Sequence, residues 1–379
     1  MADRPLALVG GTIYVTPDAD PIRDGIVFIK DGRVAAASGA TVPPDTEVLS
    51  CAGCTILAGF CNNHVHFFER KWSNAAAIPA AELMLQLQEF CTRFGFTTVF
   101  DLSSPWANTR VMRERIESGE VPGPRIRSTG QGLIANGALP PDAVTNLMGV
   151  MRYPIATVGN ATEVGAAAKR LVHEGVDGVK LFLKSFPVAG IAAAVAEARR
   201  AAKPVFVHPN DGADVLTALK AGVDVIAHTT PHSGPWDDAL LAAIKRAALT
   251  PTITLWKSYQ RHDRASAQEA IVATAVGQLK SWIDAGGTVL FGTDLGAVDP
   301  DPTEEYELMA AAGMTFRDIL RSLTTAPGER FGRPVGRITA GLDADIAVVN
   351  GDPAKDVRAL ADVRYTLRGG KIIYRAAEP

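Results

Sequence analysis

The chain has 379 residues, of which 47% are hydrophobic, and its formal net charge is −3. This hydrophobic content supports a large buried core, and acidic residues are interspersed with basic ones without a basic run. A nucleic-acid-binding protein is therefore not expected, and the predicted partner is a small-molecule substrate. No apolar run approaches the ~20 residues that span a bilayer, and the N-terminus lacks the apolar core of a signal peptide. The sequence thus predicts a cytoplasmic protein without membrane contact.

Strand-like segments occupy both ends of the chain. LALVGGTIYVT is followed by GIVFIKDGRVAAAS, in which Asp-Gly between alternating residues predicts a hairpin. The C-terminal end repeats the pattern in DADIAVVNGDP and in VRYTLRGGKIIYR, which has a Gly-Gly turn. Neither end is long enough for a comfortable core of its own. We therefore predict that residues 1–58 and 335–379 together form one small β-sandwich domain.

The chain has four cysteines, and Cys51 and Cys54 have the C-x-x-C spacing. This spacing occurs in redox motifs and zinc ribbons, but a ribbon needs a second pair of ligands and a redox pair normally opens a helix. Here the two residues lie in a glycine-containing turn between strand-like stretches. We predict that they are small buried hydrophobic residues.

The segment between the two ends, residues 59–334, alternates short apolar strands with alanine-rich helical stretches. This pattern is typical of repeated βα units. Eight strand candidates occur, at 59–66, 97–102, 125–131, 178–183, 204–209, 225–230, 250–256 and 289–296. Eight units over this length predict an α/β fold of the (β/α)8 TIM barrel type, which usually has ~250 residues. A doubly wound parallel sheet could use several of the same strands and is the alternative.

Side chains that bind metals occur at the ends of these predicted strands. His64 and His66 end the first strand, and the single residue between them places both imidazoles on one face. His208, His228 and Asp294 lie at the ends of further strands, and the fourth strand holds Lys180. In a barrel of this type, the chemistry takes place at the C-terminal ends of the strands. An isolated His-x-His pair is more often a polar strand end, but the residues together predict a metal site.

The same segments resemble the strand-end motifs of the amidohydrolase superfamily of metal-dependent hydrolases. The motifs are GFCNNHVH, GVKLF, FVHP, IAHTTP and FGTD. RFGFTTVFDL is similar to the second strand of imidazolonepropionase- and prolidase-related members, and DADIAVVNGDP and LRGGKIIYR resemble the closing β-sandwich. The resemblance covers nearly the whole chain and implies a catalytic barrel at residues 59–334. It also implies a homo-oligomer.

Carried over residue by residue, the resemblance implies a site with two divalent metal ions. The first ion would be bound by His64, His66 and Asp294. The second would be bound by His208 and His228. Lys180 would bridge both ions after reacting with carbon dioxide to form a carbamate, a reaction of the neutral amine that burial and neighbouring cations favour. Imidazole and carboxylate ligands favour Zn²⁺, with manganese, cobalt and iron as alternatives.

The implied reaction is cleavage of an amide C–N bond by a hydroxide held between the two ions. Asp294 would accept its proton and deliver it to the leaving nitrogen. The substrates that fit are an N-acyl amino acid, a dipeptide or a cyclic amide, and a lactone or organophosphate ester could react at the same centre. A deaminase of an aminated heterocycle would instead use one metal and Asp211, a residue that also suits a helix N-cap. A non-enzymatic scaffold is least favoured, because all six ligand positions are filled.

The loops after the strand ends are expected to determine substrate specificity. The predicted substrate contacts are Phe68, His232, Trp256, Lys257 and Tyr259. Aromatic and cationic side chains suit a substrate with an apolar body and a negative group. Because neighbouring side chains alternate along a strand, either Trp256 or Lys257 would face the cavity.

Overall fold

A computed structural model of the chain describes residues 4–38, 41–138, 156–244, 246–259, 265–296 and 298–377. The strands are β1 (Leu6–Ile13), β2 (Ile22–Lys30), β3 (Arg33–Ser38), β4 (Glu47–Ser50), β5 (Cys54–Ala58), β6 (Phe60–Val65), β7 (Phe96–Asp101), β8 (Arg125–Ser128), β9 (Leu133–Ala135), β10 (Ala156–Val158), β11 (Val179–Phe182), β12 (Val205–His208), β13 (Val225–Ala227), β14 (Ala248–Thr250), β15 (Thr288–Val289), β16 (Ile346–Asn350), β17 (Val363–Arg368) and β18 (Lys371–Arg375). The α-helices are α1 (Ala80–Phe90), α2 (Trp106–Glu117), α3 (Ala161–His173), α4 (Val188–Arg200), α5 (Gly212–Ala221), α6 (Asp238–Ala242), α7 (Ile253–Tyr259), α8 (Ala265–Asp284), α9 (Thr303–Ala311), α10 (Phe316–Leu323) and α11 (Thr325–Arg330). The predicted α/β fold class is confirmed.

One sheet is built from both ends of the chain. Its strand order is β18-β17-β16-β5-β1-β2-β3, and β4 also pairs with β1. The two ends meet where β5 pairs antiparallel with β16, with Ile56 opposite Val348. The side chains of Leu8, Val27 and Ile346 belong to the buried cluster on this sheet, which explains why neither end needs a core of its own. The shared sheet agrees with the sequence analysis, whereas a sandwich with a second layer stays a prediction.

The strands between the two ends are parallel and form two further sheets. Their orders are β6-β7-β8 and β10-β9-β11-β12-β13-β14-β15. The segment after β15 runs beside β6, where the Asn63 amide donates to the Phe291 carbonyl oxygen (2.8 Å) and the His66 amide donates to that of Leu295 (2.7 Å). Strands β11, β13 and β14 of the larger sheet are buried and largely apolar, as expected when helices cover a parallel sheet. The C-terminal end of β6 therefore lies beside the segment that follows β15.

The prediction of a seventh strand at residues 250–256 is wrong for most of these residues. β14 ends at Thr250, and α7 begins at Ile253. Between them, Thr252 has a φ of 44°, in the left-handed region that turns the chain into the helix. Trp256 and Lys257 therefore lie on a helix, so the expected strand alternation of these two residues is also wrong.

Other strand boundaries differ less. The predicted eighth strand, 289–296, is shortened to β15 at Thr288–Val289, although its continuation still runs beside β6. The short strands β9 and β10 were not predicted, because three-residue runs carry too little periodicity to distinguish a strand from a loop. The remaining predicted strands agree with β6, β7, β8, β11, β12 and β13 within a few residues.

The cysteines are buried and form no disulfide with one another. Burial raises the pKa of the thiols of Cys51 and Cys61 to about 12, so both are protonated at neutral pH. This agrees with the prediction that Cys51 and Cys54 fill space. Among the helices of the described ranges, none is long and apolar enough to cross a membrane.

Candidate metal centre

A carboxylate and three imidazoles meet where three strands end. Asp294 Oδ1 lies 2.8 Å from His66 Nε2 and 3.5 Å from His64 Nε2, and Asp294 Oδ2 lies 3.7 Å from His228 Nε2. His64 is in β6, His66 follows it, and His228 comes directly after β13. One ligand atom from each of His64, His228 and Asp294 lies within 4.8 Å of the other two. Atoms at this spacing can all reach one metal ion.

The other two predicted ligands adjoin this group. His208 is the last residue of β12, and its ring centroid is 4.6 Å from that of His228. Lys180 is in the adjacent strand β11 and is fully buried. Lys180 is close enough to Asp294 for the carboxylate to affect the pKa of its amine. The structure therefore brings all six predicted ligand residues to one end of the parallel strands.

Several buried polar atoms at this site have no hydrogen-bond partner among the described residues. They are His64 Nδ1, His64 Nε2, Lys180 Nζ and Asp294 Oδ1. A buried polar atom without a partner costs free energy, so native proteins seldom retain a group of them. A metal ion would supply the missing partner of a His64 ring nitrogen and of Asp294 Oδ1. Nitrogen and oxygen donors of this kind fit a divalent ion of the zinc type. The residues therefore fit a metal centre.

The electrostatics of the site favour the uncharged bases that metal binding requires. Burial, followed by the charge of Lys180, lowers the pKa of His64 well below 6.5. Burial, followed by the charge of His208, also lowers the pKa of His228 well below 6.5. Burial, followed by Lys180, lowers the pKa of His208 to about 3, although this residue keeps some solvent exposure. Burial also lowers the pKa of Lys180 to about 7, against the opposing effect of Asp294. His64, His208 and His228 are thus neutral, as metal binding requires, and a large fraction of the Lys180 amine is uncharged.

Two hydrogen bonds fix which ring nitrogens face the centre. His66 Nδ1 lies 3.3 Å from the Ser103 carbonyl oxygen, which can only accept, so Nδ1 carries a proton and Nε2 faces Asp294. His228 Nδ1 lies 2.7 Å from Thr252 Oγ1. His228, with a φ of 91°, and Asp294, with a φ of 62°, are both in the left-handed region. Backbone conformations of this kind are unfavourable for non-glycine residues and are concentrated at functional sites.

Replacing Thr252 with valine should weaken metal binding by roughly 10–100-fold, because the partner that orients a ligating imidazole is lost. Valine keeps the shape of threonine, so the fold should persist. Thr250→Val is the matched control, since Thr250 is also buried but its hydroxyl donates to the Ile226 carbonyl oxygen at 3.5 Å. Competition with a chromogenic chelator measures the affinity. Equal affinities in the two variants would contradict an orienting role for Thr252.

A buried carboxylate next to the centre was not predicted. Asp101, the last residue of β7, accepts hydrogen bonds from the hydroxyls of Ser104 (2.5 Å) and Ser128 (2.6 Å). Burial raises its pKa to about 6, although both hydrogen bonds and His66 act in the opposite direction. The Ser104 hydroxyl also accepts from the Phe67 amide (2.8 Å), which connects the network to the chain after His66. Asp101 ends a predicted strand, so the strand-end rule could have found it.

A second unpredicted carboxylate holds the first turn of α7. Glu305 in α9 is fully buried and accepts from the amides of Ile253 and Thr254, both at 2.9 Å. Burial raises its pKa to about 7, opposed mainly by the hydrogen bond from Thr254. The amide groups of the first turn of a helix lack intrahelical partners, and here a carboxylate far away in the sequence supplies one. Glu305 therefore fixes the helix that carries Trp256 and Lys257.

The predicted substrate contacts fall into different positions. Trp256 is buried, with its ring 6.3 Å from His228 and 5.5 Å from the exposed His232. Phe68 is buried beside His66, with ring centroids 4.8 Å apart. Lys257 is half exposed and forms an ion pair with Glu304, so it lies away from the cluster. These contacts favour the aromatic residue over the lysine as part of the pocket wall.

Two further predicted residues, Tyr259 and Asp211, lie at helix ends. The backbone of Tyr259 ends α7, and its side chain lies outside the described residues. Asp211 is the N-cap of α5, and its side chain accepts from the Asp214 amide at 2.8 Å. A carboxylate held in this way caps the helix, as the sequence favoured.

Parallel strands that end in a cluster of neutral histidines and a carboxylate define a class of metal-binding α/β enzymes. A family model described as the amidohydrolase family matches residues 55–373. The chain belongs to the amidohydrolase family and is a hydrolase of that superfamily. The resemblance seen in the sequence is confirmed.

Individual relatives resemble the chain in sequence or in fold. The chain is 24% identical to a dihydroorotase from Pelotomaculum thermopropionicum, over 97% of this chain and 95% of that protein. It has the same fold as a putative prolidase from Bifidobacterium longum, with a TM-score of 0.81, 21% identity and coverage of 99% and 96% of the two chains. A Xaa-Pro dipeptidase with bound methionine gives a TM-score of 0.82 at 22% identity, covering 98% of this chain and 100% of that one.

Proposed function

We propose that this protein is a binuclear metal-dependent hydrolase that cleaves the amide C–N bond of a small substrate. The observation that carries the proposal is the set of buried, unpartnered nitrogen and oxygen atoms at the strand ends. These atoms belong to histidines, a carboxylate and a lysine amine. Together they match a site for two divalent ions, which we propose to be Zn²⁺.

The proposed ligands divide into two groups. His64, His66 and Asp294 hold one ion, which agrees with the contacts of the carboxylate to both rings. His208 and His228 hold the other, which agrees with their adjacent rings. When bound, the two ions supply an activated water and polarise the scissile carbonyl.

Lys180 supplies the bridge between the two groups. Its neutral amine nitrogen forms a bond to the carbon of carbon dioxide and releases one proton to solvent, which gives an anionic carbamate. A pKa of about 7 leaves much of the amine available for this step. The carbamate replaces a buried cation with two oxygen ligands of the opposite charge, which removes the conflict between Lys180 and bound metal ions.

Asp294 moves the proton during cleavage. Its two oxygens face different histidines, Oδ1 towards His66 and Oδ2 towards His228, so the carboxylate reaches both halves of the site. We propose that it accepts the proton of the attacking water and then donates it to the leaving nitrogen. Trp256 and Phe68 enclose the reacting groups on the apolar side.

The domain division and the barrel are part of the same proposal. We propose that residues 59–334 form a closed (β/α)8 barrel and that residues 1–58 with 335–379 form the second domain. Support for closure comes from the backbone hydrogen bonds between β6 and the segment after β15, and from the Asp177 amide, which donates to the Ser128 carbonyl oxygen at 2.7 Å. A homo-oligomer in the cytoplasm stays part of the proposal.

The substrate class that fits best is an N-acyl amino acid, a dipeptide or a cyclic amide. The names of the relatives, a Xaa-Pro dipeptidase and a dihydroorotase, support this choice. A lactone or organophosphate ester hydrolase would use the same residues and is the alternative. The deaminase alternative has less support, because the Asp211 carboxylate caps α5.

Protein purified without chelators should contain close to two divalent ions per chain. The reason is that six potential ligands converge, more than one tetrahedral ion needs. Elemental analysis gives the count, and intact-protein mass spectrometry under non-denaturing conditions should show the added mass of one carbon dioxide. Removal of the metal with a chelator should abolish amide hydrolysis, and Zn²⁺ should restore it.

One ion per chain, together with an unmodified Lys180, would contradict the binuclear proposal. Release of ammonia from an aminated heterocycle without amide hydrolysis would then support the deaminase. Turnover of esters but not of amides, with two ions bound, would overturn only the choice of bond.

Trp256→Leu should lower kcat/KM by roughly tenfold, because an aromatic wall of the pocket is lost. Lys257→Met should change kcat/KM by no more than about twofold, because its ion pair with Glu304 is exposed. Both variants are assayed on N-acyl amino acids and on their amidated analogues. A large effect of Lys257→Met confined to the carboxylate substrates would show that the lysine recognises the charge after all.

A further inference from the structure

A cavity opens at the end of the parallel strands opposite to the metal centre. Its volume is about 360 Å³, a size that suits a small molecule. Arg125, the first residue of β8, and Pro204, which precedes β12, line it. Arg33 and Asp343 contribute the wall on the side of the sheet built from both chain ends. The metal ligands occupy the C-terminal ends of the strands, so the cavity is separate from the catalytic centre.

Positive charge is in excess around this cavity. Among the described residues that line it, six are basic and three are acidic, namely Arg33, Arg125, Arg127, Lys203, Arg333 and Arg337 against Asp177, Asp343 and Asp345. The Asp177 carboxylate is shared between Arg127 (2.9 Å) and Arg113 (2.7 Å), so it neutralises neither guanidinium alone. Ion pairs within the lining therefore leave a net positive field.

Two of these basic groups have unused hydrogen-bonding capacity. Nε of Arg127 is buried and has no hydrogen-bond partner among the described residues. The exposed side chain of Arg333 also forms no ion pair or hydrogen bond with any described residue. Partial burial, followed by the charge of Arg127, lowers the pKa of Arg333. This effect is expected when two guanidinium groups line the same cavity. An anion between them would relieve this repulsion.

The floor of the cavity is aromatic. Phe100 and Phe331 both line it, and their ring centroids are 5.3 Å apart. Phe206 packs behind them, 4.7 Å from Phe100 and 6.0 Å from Phe331. A flat apolar group can stack on such a surface while its charged end reaches the arginines.

We propose that this cavity is a binding site for a small organic anion, whose carboxylate or phosphate group pairs with Arg127 and Arg333 and whose flat apolar body packs on Phe100 and Phe331. The site does not depend on the proposed hydrolytic function, because no metal ligand takes part. A bound anion would also connect the strand ends to the neighbouring sheet through the arginines around it.

Calorimetric titration of the metal-loaded protein with benzoate and with phenylphosphonate tests the proposal. Inorganic phosphate serves as the anion without an apolar body, and benzyl alcohol as the apolar body without a charge. We expect at least one of the two aromatic anions to bind more tightly than both controls. The stronger of benzoate and phenylphosphonate identifies the charged group. Arg333→Gln should weaken this binding by about tenfold.

Arg170→Gln is the matched control, because Arg170 is an exposed arginine of α3, outside the cavity. Its binding should equal that of the unsubstituted protein. Arg333 is exposed and unpaired, so Arg333→Gln should fold normally, and an unchanged Tm without ligand checks this. Anions could instead bind at the metal centre, and such binding would not depend on the arginines of the cavity. Binding that is unchanged in Arg333→Gln and Arg127→Gln would therefore overturn the proposal. Equal binding of phosphate and phenylphosphonate, or no binding of any probe, would overturn it as well.

Discussion

Replacing Lys180 with alanine is expected to lower kcat by roughly 10³-fold or more, because the proposed bridging ligand of two metal ions would be lost. Lys180 is fully buried and interacts electrostatically with His64 and Asp294, so alanine leaves a gap beside them. A short carboxylic acid such as acetate or propionate can enter that gap and supply the missing oxygen ligands. Activity should therefore return in part as the acid concentration rises, together with the second metal ion.

Lys184→Ala is the matched control for this experiment. Lys184 follows the same strand, β11, but is exposed, so its removal should change neither kcat nor the metal content. The measurements are kcat with and without the added acid and elemental analysis of each variant. If Lys180→Ala kept two ions and near-normal turnover, the bridging role of Lys180 would be excluded.

Asp294→Asn is expected to lower kcat by about 10²–10⁴-fold while much of the metal stays bound. An amide oxygen can still contact a metal ion, but the side chain can no longer take up a proton from the attacking water. The free energy of substrate binding should change less than that of the transition state, so KM should change little compared with kcat.

Asp299→Asn controls for the loss of a carboxylate near the same segment, because Asp299 is exposed. Its kcat should be normal. The leaving group provides a further test. Asp294→Asn should lose less activity on substrates whose nitrogen departs without protonation. A uniform loss across leaving groups, accompanied by loss of metal, would make Asp294 only a ligand.

The convergence of the site could be predicted from the sequence because it depends on a rule of parallel sheets. The carboxyl ends of parallel strands meet at one edge, so side chains at His64, His208 and Asp294 approach one another even though they are far apart in the chain. The apolar strands that precede them are recognisable locally. Fold class and ligand cluster therefore follow from local patterns combined with a general topology.

The region after β14 could not be predicted in the same way. Residues 250–256 are rich in threonine and apolar side chains, a composition that favours a strand. The chain instead turns at Thr252 and forms a helix whose first amides are bound by Glu305. That partner lies in α9 and is invisible to any local pattern. The expected alternation of Trp256 and Lys257 along a strand is therefore wrong, because both residues lie on this helix.

The pairing of β5 with β16 has a consequence for how the chain acquires its structure. During synthesis, β1–β5 are complete long before Ile346–Asn350 exist, so a long-range contact has to form late. Until then, β5, whose residues are all buried in the finished protein, presents an unpaired apolar edge. Maturation of the nascent chain thus passes through a stage in which this edge can join another chain. Shielding of that edge, by a chaperone or by rapid completion of the sheet, would limit association between nascent chains.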